Sequence, residues 1–115
     1  MRERVDHGLF ITLLTVQLPE VAAQINECTR GLLHMEMGTL GLATRAAIEA
    51  EHWGTVRRHL SFVEDVFLAA TPDVVNAVYA SYMELLPFWD DDDGAPKVRA
   101  LLPPALAKVL ADMES

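Results

Sequence analysis

Four histidines, one cysteine and seventeen carboxylates are the groups in this 115-residue chain that could do metal, nucleophilic or acid–base chemistry. Glu49 and His52 stand three apart, the Glu-x-x-His spacing that puts two ligands on one helix face in di-iron bundles. Such a centre needs a second copy and two further inward glutamates, and no other histidine has a glutamate three residues before it. His34-Met35-Glu36 matches the His-x-Glu of zinc deaminases but lacks the Pro-Cys-x-x-Cys partner. No metal or cofactor is therefore expected. Nucleophilic catalysis has no Gly-x-Ser-x-Gly elbow and no phosphate-cradling glycine loop to rest on. Cys28 lies in a helical pattern where a small buried hydrophobe is its default role, and His59 falls inside an apolar arc as a core histidine with a backbone partner. The expectation is a chain that is not an enzyme.

The carboxylates themselves are the more informative group. Between Glu64 and Asp93 stand Glu64, Asp65, Asp73, Glu84, Asp90, Asp91, Asp92 and Asp93, with no lysine or arginine among them. The rest of the chain carries equal numbers of acidic and basic residues, so the whole net charge of −8 arises in this one stretch. Such a field repels phosphate backbones and anionic lipid and attracts a basic protein, so neither nucleic acid nor membrane is an expected partner. The apolar run Gly8–Val16 follows Arg2 and Arg4, but Glu3 and Asp6 cancel that charge. Thr12 and Thr15 interrupt the run, and no small-x-small cleavage site follows, so it reads as a helix rather than a signal peptide. A single cysteine excludes an intramolecular disulfide and suits a reducing compartment, and a cytoplasmic location is expected.

The elements that must position these residues read as helices. With 51% hydrophobic residues, the chain has enough apolar surface for one domain spanning residues 1–115. Strand alternation and hairpin dipeptides are missing. The spacing predicts a helix from about Asp6 to Gln17 and a second from Pro19 through Val21, Ala22, Ile25 and Cys28. Residues 31–38 read as a loop, and a third helix follows from about Thr39 to Glu51. Trp53, Val56, Leu60, Val63 and Phe67 recur at three- and four-residue intervals and define the clearest helix, Trp53–Ala69. Thr71-Pro72-Asp73 is a helix start with a capping hydroxyl, a preset φ and an acidic first turn, and the helix should reach Leu86 before Pro87. An acidic loop spans about 88–95, and a last helix starts near Pro103-Pro104. The fold class is all-α, five to six antiparallel helices in a bundle or a short stack of HEAT-like hairpins.

On that frame the candidate binding residues cluster late in the chain. Glu64 lies at the margin of the Trp53–Ala69 stripe with no basic residue one turn away, so it is either solvated or waits for a partner's cation. Asn76, Ala80 and Glu84 lie one turn apart on a single face, and with Ala77 they make a surface of small and polar residues. Phe88-Trp89, directly before Asp90-Asp91-Asp92-Asp93, forms an aromatic anchor rimmed by charge, and Tyr79 adds a further ring.

Three segments, Leu60-Ser61-Phe62-Val63-Glu64-Asp65-Val66-Phe67, Pro72-Asp73-Val74-Val75-Asn76-Ala77-Val78-Tyr79 and Ser81-Tyr82-Met83-Glu84-Leu85-Leu86-Pro87-Phe88, together resemble a family of small, acidic, all-helical bacterial proteins. Members of that family are often encoded beside polymorphic toxin genes. The similar stretch runs from about Leu9 to Met113, with Leu60 to Phe88 its distinctive section. The resemblance implies an immunity protein, with Glu64, Asn76 and Glu84 as shared positions and no catalytic residues. Asp90 to Asp93 lie outside the shared pattern and are candidates for partner-specific recognition. The expected function is to bind and neutralise a cognate toxin domain that presents a basic surface, without an enzymatic step. Its binding residues would be Glu64, Asn76, Tyr79, Glu84, Phe88, Trp89 and Asp90 to Asp93. A helical scaffold or adaptor, or a homodimeric interaction module, is the alternative.

Overall fold

Asp6 begins the first helix by accepting the Leu9 amide hydrogen at 2.9 Å, which satisfies one of the N–H groups that a helix start leaves open. In the computed structural model, which describes residues 4–89 and 94–114, this helix is α1 (His7–Gln17). It is followed by α2 (Pro19–Ala22), α3 (Leu33–Glu49), α4 (Trp53–Ala69), α5 (Pro72–Ala77), α6 (Gly94–Leu101) and α7 (Pro104–Glu114). The described residues contain no strand. One bridge, between Val5 and Ala70, pins the N-terminal segment to the α4–α5 corner, with Val5 donating to the Ala69 carbonyl at 2.8 Å and accepting from Thr71 at 3.0 Å. The all-α expectation holds.

α3 is the central element, touching α2, α4, α5, α6 and the segment after α5. Its buried face carries Met37, Leu40, Thr44, Ala47 and Ile48. Gly41 lies on the same face, where a Cβ would stand 2.9 Å from Leu85 Cδ1 and 3.3 Å from the Ser81 carbonyl oxygen. The glycine is thus what lets the two backbones approach. α4 buries Val56, Leu60, Phe62, Val63 and Val66, the stripe that its spacing predicts. The whole measures 37 × 29 × 22 Å.

Four local expectations are corrected. The second helix stops at Ala22, and Cys28 is exposed in a turn organised by the Asn26 side chain, whose oxygen accepts from the Cys28 and Thr29 amides at 2.9 and 3.2 Å. The third helix starts at Leu33, well before Thr39, because the buried Glu36 carboxylate ties down its first turn. That carboxylate accepts from the Gly31 amide at 2.9 Å and pairs with the His7 ring of α1. Gly31, with φ of 84°, is a true turn glycine, whereas Gly38 belongs to the helix. The helix from Pro72 does not run regularly to Leu86: Val78–Tyr82 widens into a π-helical turn and Met83–Leu85 tightens into a 3-10 turn. Finally, α6 is a helix that the spacing does not announce. Its Pro96 falls in the first turn, where a missing N–H breaks no intrahelical bond.

Candidate interaction face

The α5 segment presents a different set of side chains from the predicted one, because Ala77 lies one turn after buried Val74 on the same face. Ala77 is fully buried rather than belonging to a small-residue surface, and Tyr82 enters the core. Asn76 and Glu84 remain outside the core, so the outward face predicted for this segment keeps its polar members and loses Ala77. Thr71 does not cap α5. Its hydroxyl donates to the Asp73 carboxylate and lies 3.3 Å from the Val5 carbonyl, and the first of these bonds holds the Asp73 carboxyl below the ordinary carboxylate range.

Glu64, half-buried, is satisfied within the chain and does not wait for a cation. Its Oε2 accepts from the Ala105 amide at 3.1 Å and its Oε1 from the Leu106 amide at 3.0 Å. Pro103 and Pro104 stand at the start of α7 and offer no side-chain oxygen, so a carboxylate from α4 caps that helix from a distance. Tyr79 also faces inward to α7. Its hydroxyl donates to Asp112 at 3.1 Å, and its ring packs 6.2 Å from Phe67.

Phe88 and Trp89 separate. Phe88 is a core residue, only 2% exposed, and cannot meet a partner without unfolding. Trp89 is 49% exposed and stacks edge-on against Phe88 with centroids 5.8 Å apart. Asp90 to Asp93 lie outside the described residues. The brace behind Trp89 is Arg99 of α6, a residue that no sequence pattern singles out. Its Nε donates to the Phe88 carbonyl at 3.0 Å, while both terminal nitrogens meet the two Glu114 oxygens at 3.2 Å. This two-point contact, with a hydrogen bond from Trp89, lowers the Glu114 pKa. Arg45 of α3 has a similar role, donating to the Leu85 carbonyl at 2.9 Å and to Glu49 at 3.1 Å. A basic residue aligned with a chain reversal has no sequence signature, because the carbonyl it reaches lies 11 or 40 residues away.

The remaining chemistry-bearing residues are dispersed. Glu49 pairs with Arg45, His52 is exposed, and His34 Nδ1 lies 2.7 Å from Ser81 Oγ. No group of three potential metal ligands assembles among the described residues. His59 is buried in the core as expected, but its partner is a side chain: Nδ1 lies 2.9 Å from Thr44 Oγ1, which also lies 2.9 Å from the Tyr82 hydroxyl and donates to the Leu40 carbonyl at 3.0 Å. We assign the threonine proton to Leu40; Tyr82 and His59 Nδ1 then both donate to Thr44, the tautomer in which His59 Nε2 is a lone-pair acceptor. That nitrogen is buried and has no partner in the protein, a burden of about 1–3 kcal/mol. Burial lowers the His59 pKa, and it raises that of Tyr82 far above the ordinary phenol range.

None of the described helices is long and apolar enough to cross a membrane. No curated protein and no solved structure matches the chain. A family model does match, over residues 11–114, nearly the whole of the helical array described above: the chain belongs to the family of the domain of unknown function DUF7674.

Proposed function

We propose that this chain is a cytoplasmic immunity protein of bacterial origin that binds one cognate toxin domain and blocks it without chemistry of its own. The observation that carries the reading is the charge placement, with the entire net charge of −8 arising in the 30 residues from Glu64 to Asp93. Toxins that act on nucleic acid or nucleotides need basic surfaces, and an acidic helical module competes for such a surface as a decoy for phosphate. Glu84 and Asp90 to Asp93 supply the charge, Asn76 a neutral hydrogen-bonding edge, and Trp89 the half-exposed aromatic contact held in place by Arg99. Glu64, Tyr79 and Phe88 act behind the face: Glu64 and Tyr79 hold α7, and Phe88 seats the tryptophan.

Coexpression with the toxin domain encoded beside this chain tests the reading. Relief of growth arrest and a one-to-one complex that weakens with salt are expected. Undiminished toxicity with no complex would overturn it. A second reading, a scaffold or homodimeric module, draws on Leu32, just before α3, and on Met35 and Leu42 within it, all 50–58% exposed. It predicts a concentration-dependent dimer in light scattering and no toxin complex.

A further inference from the structure

A cleft of about 420 Å³ lies on another side, between α2, α3 and α4. Its α3 wall is Ala43, Ala46, Ala47 and Ala50, and Leu42, 58% exposed, stands at its rim. Five polar side chains border it: Glu20, Gln24, His52, Thr55 and His59. Glu20 lines the mouth, its carboxylate 2.7 Å from Arg58, which is not itself in the lining. His59 lines the floor. Its Nδ1 is held by Thr44, which does not border the cleft, and its Nε2 has no partner. The residue is only 2% exposed, and its free lone pair is an acceptor. A site with a carboxylate at the mouth, a lone pair at the floor and an alanine wall between them fits an unbranched apolar stem ending in N–H donors.

We propose that this cleft is a socket for a lysine side chain of a protein partner, the ammonium donating to His59 Nε2 and the methylene stem lying along the alanine wall of α3. Lysine suits it better than arginine, because the planar fork of a guanidinium wants a free bidentate carboxylate and Glu20 is already engaged by Arg58. A protein source suits it better than a free amine, because Leu42 at the rim offers apolar contact that only a larger partner would cover. The inference rests on the immunity reading in taking the partner to be a basic protein, but it uses a separate face.

The first probe is butylammonium chloride, titrated while the His59 ring nitrogens and the Ala46 and Ala47 methyls are followed by NMR. Saturable shifts of Nε2 and both methyls are expected. Tetramethylammonium, which has charge but no N–H, should leave them unmoved, and Ala46→Phe, which fills the cleft from the α3 wall, should abolish the response. No shift with butylammonium, or equal shifts with tetramethylammonium, overturns the socket. The second probe is the toxin domain itself. Ala46→Phe should weaken its binding at least tenfold while circular dichroism shows the fold intact. Unchanged affinity of a formed complex refutes a protein-borne lysine here and leaves the immunity reading standing, whereas absence of any complex with the unmodified chain counts against both.

Discussion

Replacing Glu64 by alanine removes both acceptors that cap α7. The Ala105 and Leu106 amides, at 3.1 and 3.0 Å, lose a charged partner at the positive end of an eleven-residue helix. Losing an N-terminal cap costs about 0.5–2 kcal/mol, and a hydrogen bond to a charged group contributes about 1.5–3 kcal/mol. Glu64 is partly open to water, which can replace some of the lost bonding, so a loss of about 2 kcal/mol is expected for Glu64→Ala. Glu64→Gln keeps one oxygen but turns an N–H₂ toward the second amide and removes the charge, and should lose about 1.5 kcal/mol. With an unfolding entropy of roughly 2.1 cal/mol/K per residue, the alanine variant should melt about 8 °C lower. Urea unfolding followed by circular dichroism gives the direct reading: the midpoint should fall by about 1 M with an unchanged slope. Asp65→Ala, an exposed neighbour on the same helix, serves as the control and should stay within about 0.5 kcal/mol of the parent. A Glu64→Ala midpoint equal to that of the control would refute the cap.

Other positions give equally direct expectations. Gly54→Ala meets no atom within 4 Å and should stabilise by about 0.5 kcal/mol, whereas Gly41→Leu must displace Leu85 and the Ser81 backbone and should cost about 3 kcal/mol, both read from urea midpoints. Arg99→Ala should shift Trp89 fluorescence to the red and raise its quenching by iodide, since the Phe88 carbonyl and Glu114 lose their brace. Acid should weaken the fold in two windows. Burial in the folded chain holds His59 below the roughly 6.5 of a free histidine, so the unfolded chain binds the extra proton. That contribution is complete above pH ~6.5 and declines as pH falls through it toward the lower folded value. Glu20, Asp73 and Glu114, with lowered pKa values, lose theirs only below about pH 4.5. His59→Asn should therefore flatten the stability curve between about pH 7 and 5.5 and leave the lower window in place.

How much could be read from the chain depended on how local each determinant was. The apolar period of α4 and the Pro72 start of α5 depend on residues within a few positions, and both appear where the spacing places them. The π-helical turn at Val78–Tyr82 is different. It sits where Gly41 lets α3 press against the following backbone, a contact between segments some 40 residues apart. Gly38 reads as the end of a loop yet belongs to α3, and Gly41 lies within the predicted helix with nothing local to show that it serves that close approach. Glu64 was legible as a carboxylate lacking a local cation, but its two amide donors lie 41 and 42 residues away across a double proline. The Phe88-Trp89 pair was legible as aromatic and not as one buried and one open ring, because the turn that divides them is fixed by Arg99 of an unexpected helix.

Recognition of a basic toxin domain through the acidic stretch can be put to one titration series. The affinity of the toxin domain encoded beside the chain is measured by calorimetry at several salt concentrations. The same series is repeated on a variant carrying Asp90→Asn, Asp91→Asn, Asp92→Asn and Asp93→Asn together. Electrostatic recognition predicts an affinity that falls steeply with salt in the parent, and a variant that binds at least tenfold more weakly with a flattened salt dependence. Equal affinity and equal salt dependence in the two proteins would show that the acidic stretch does not carry the recognition.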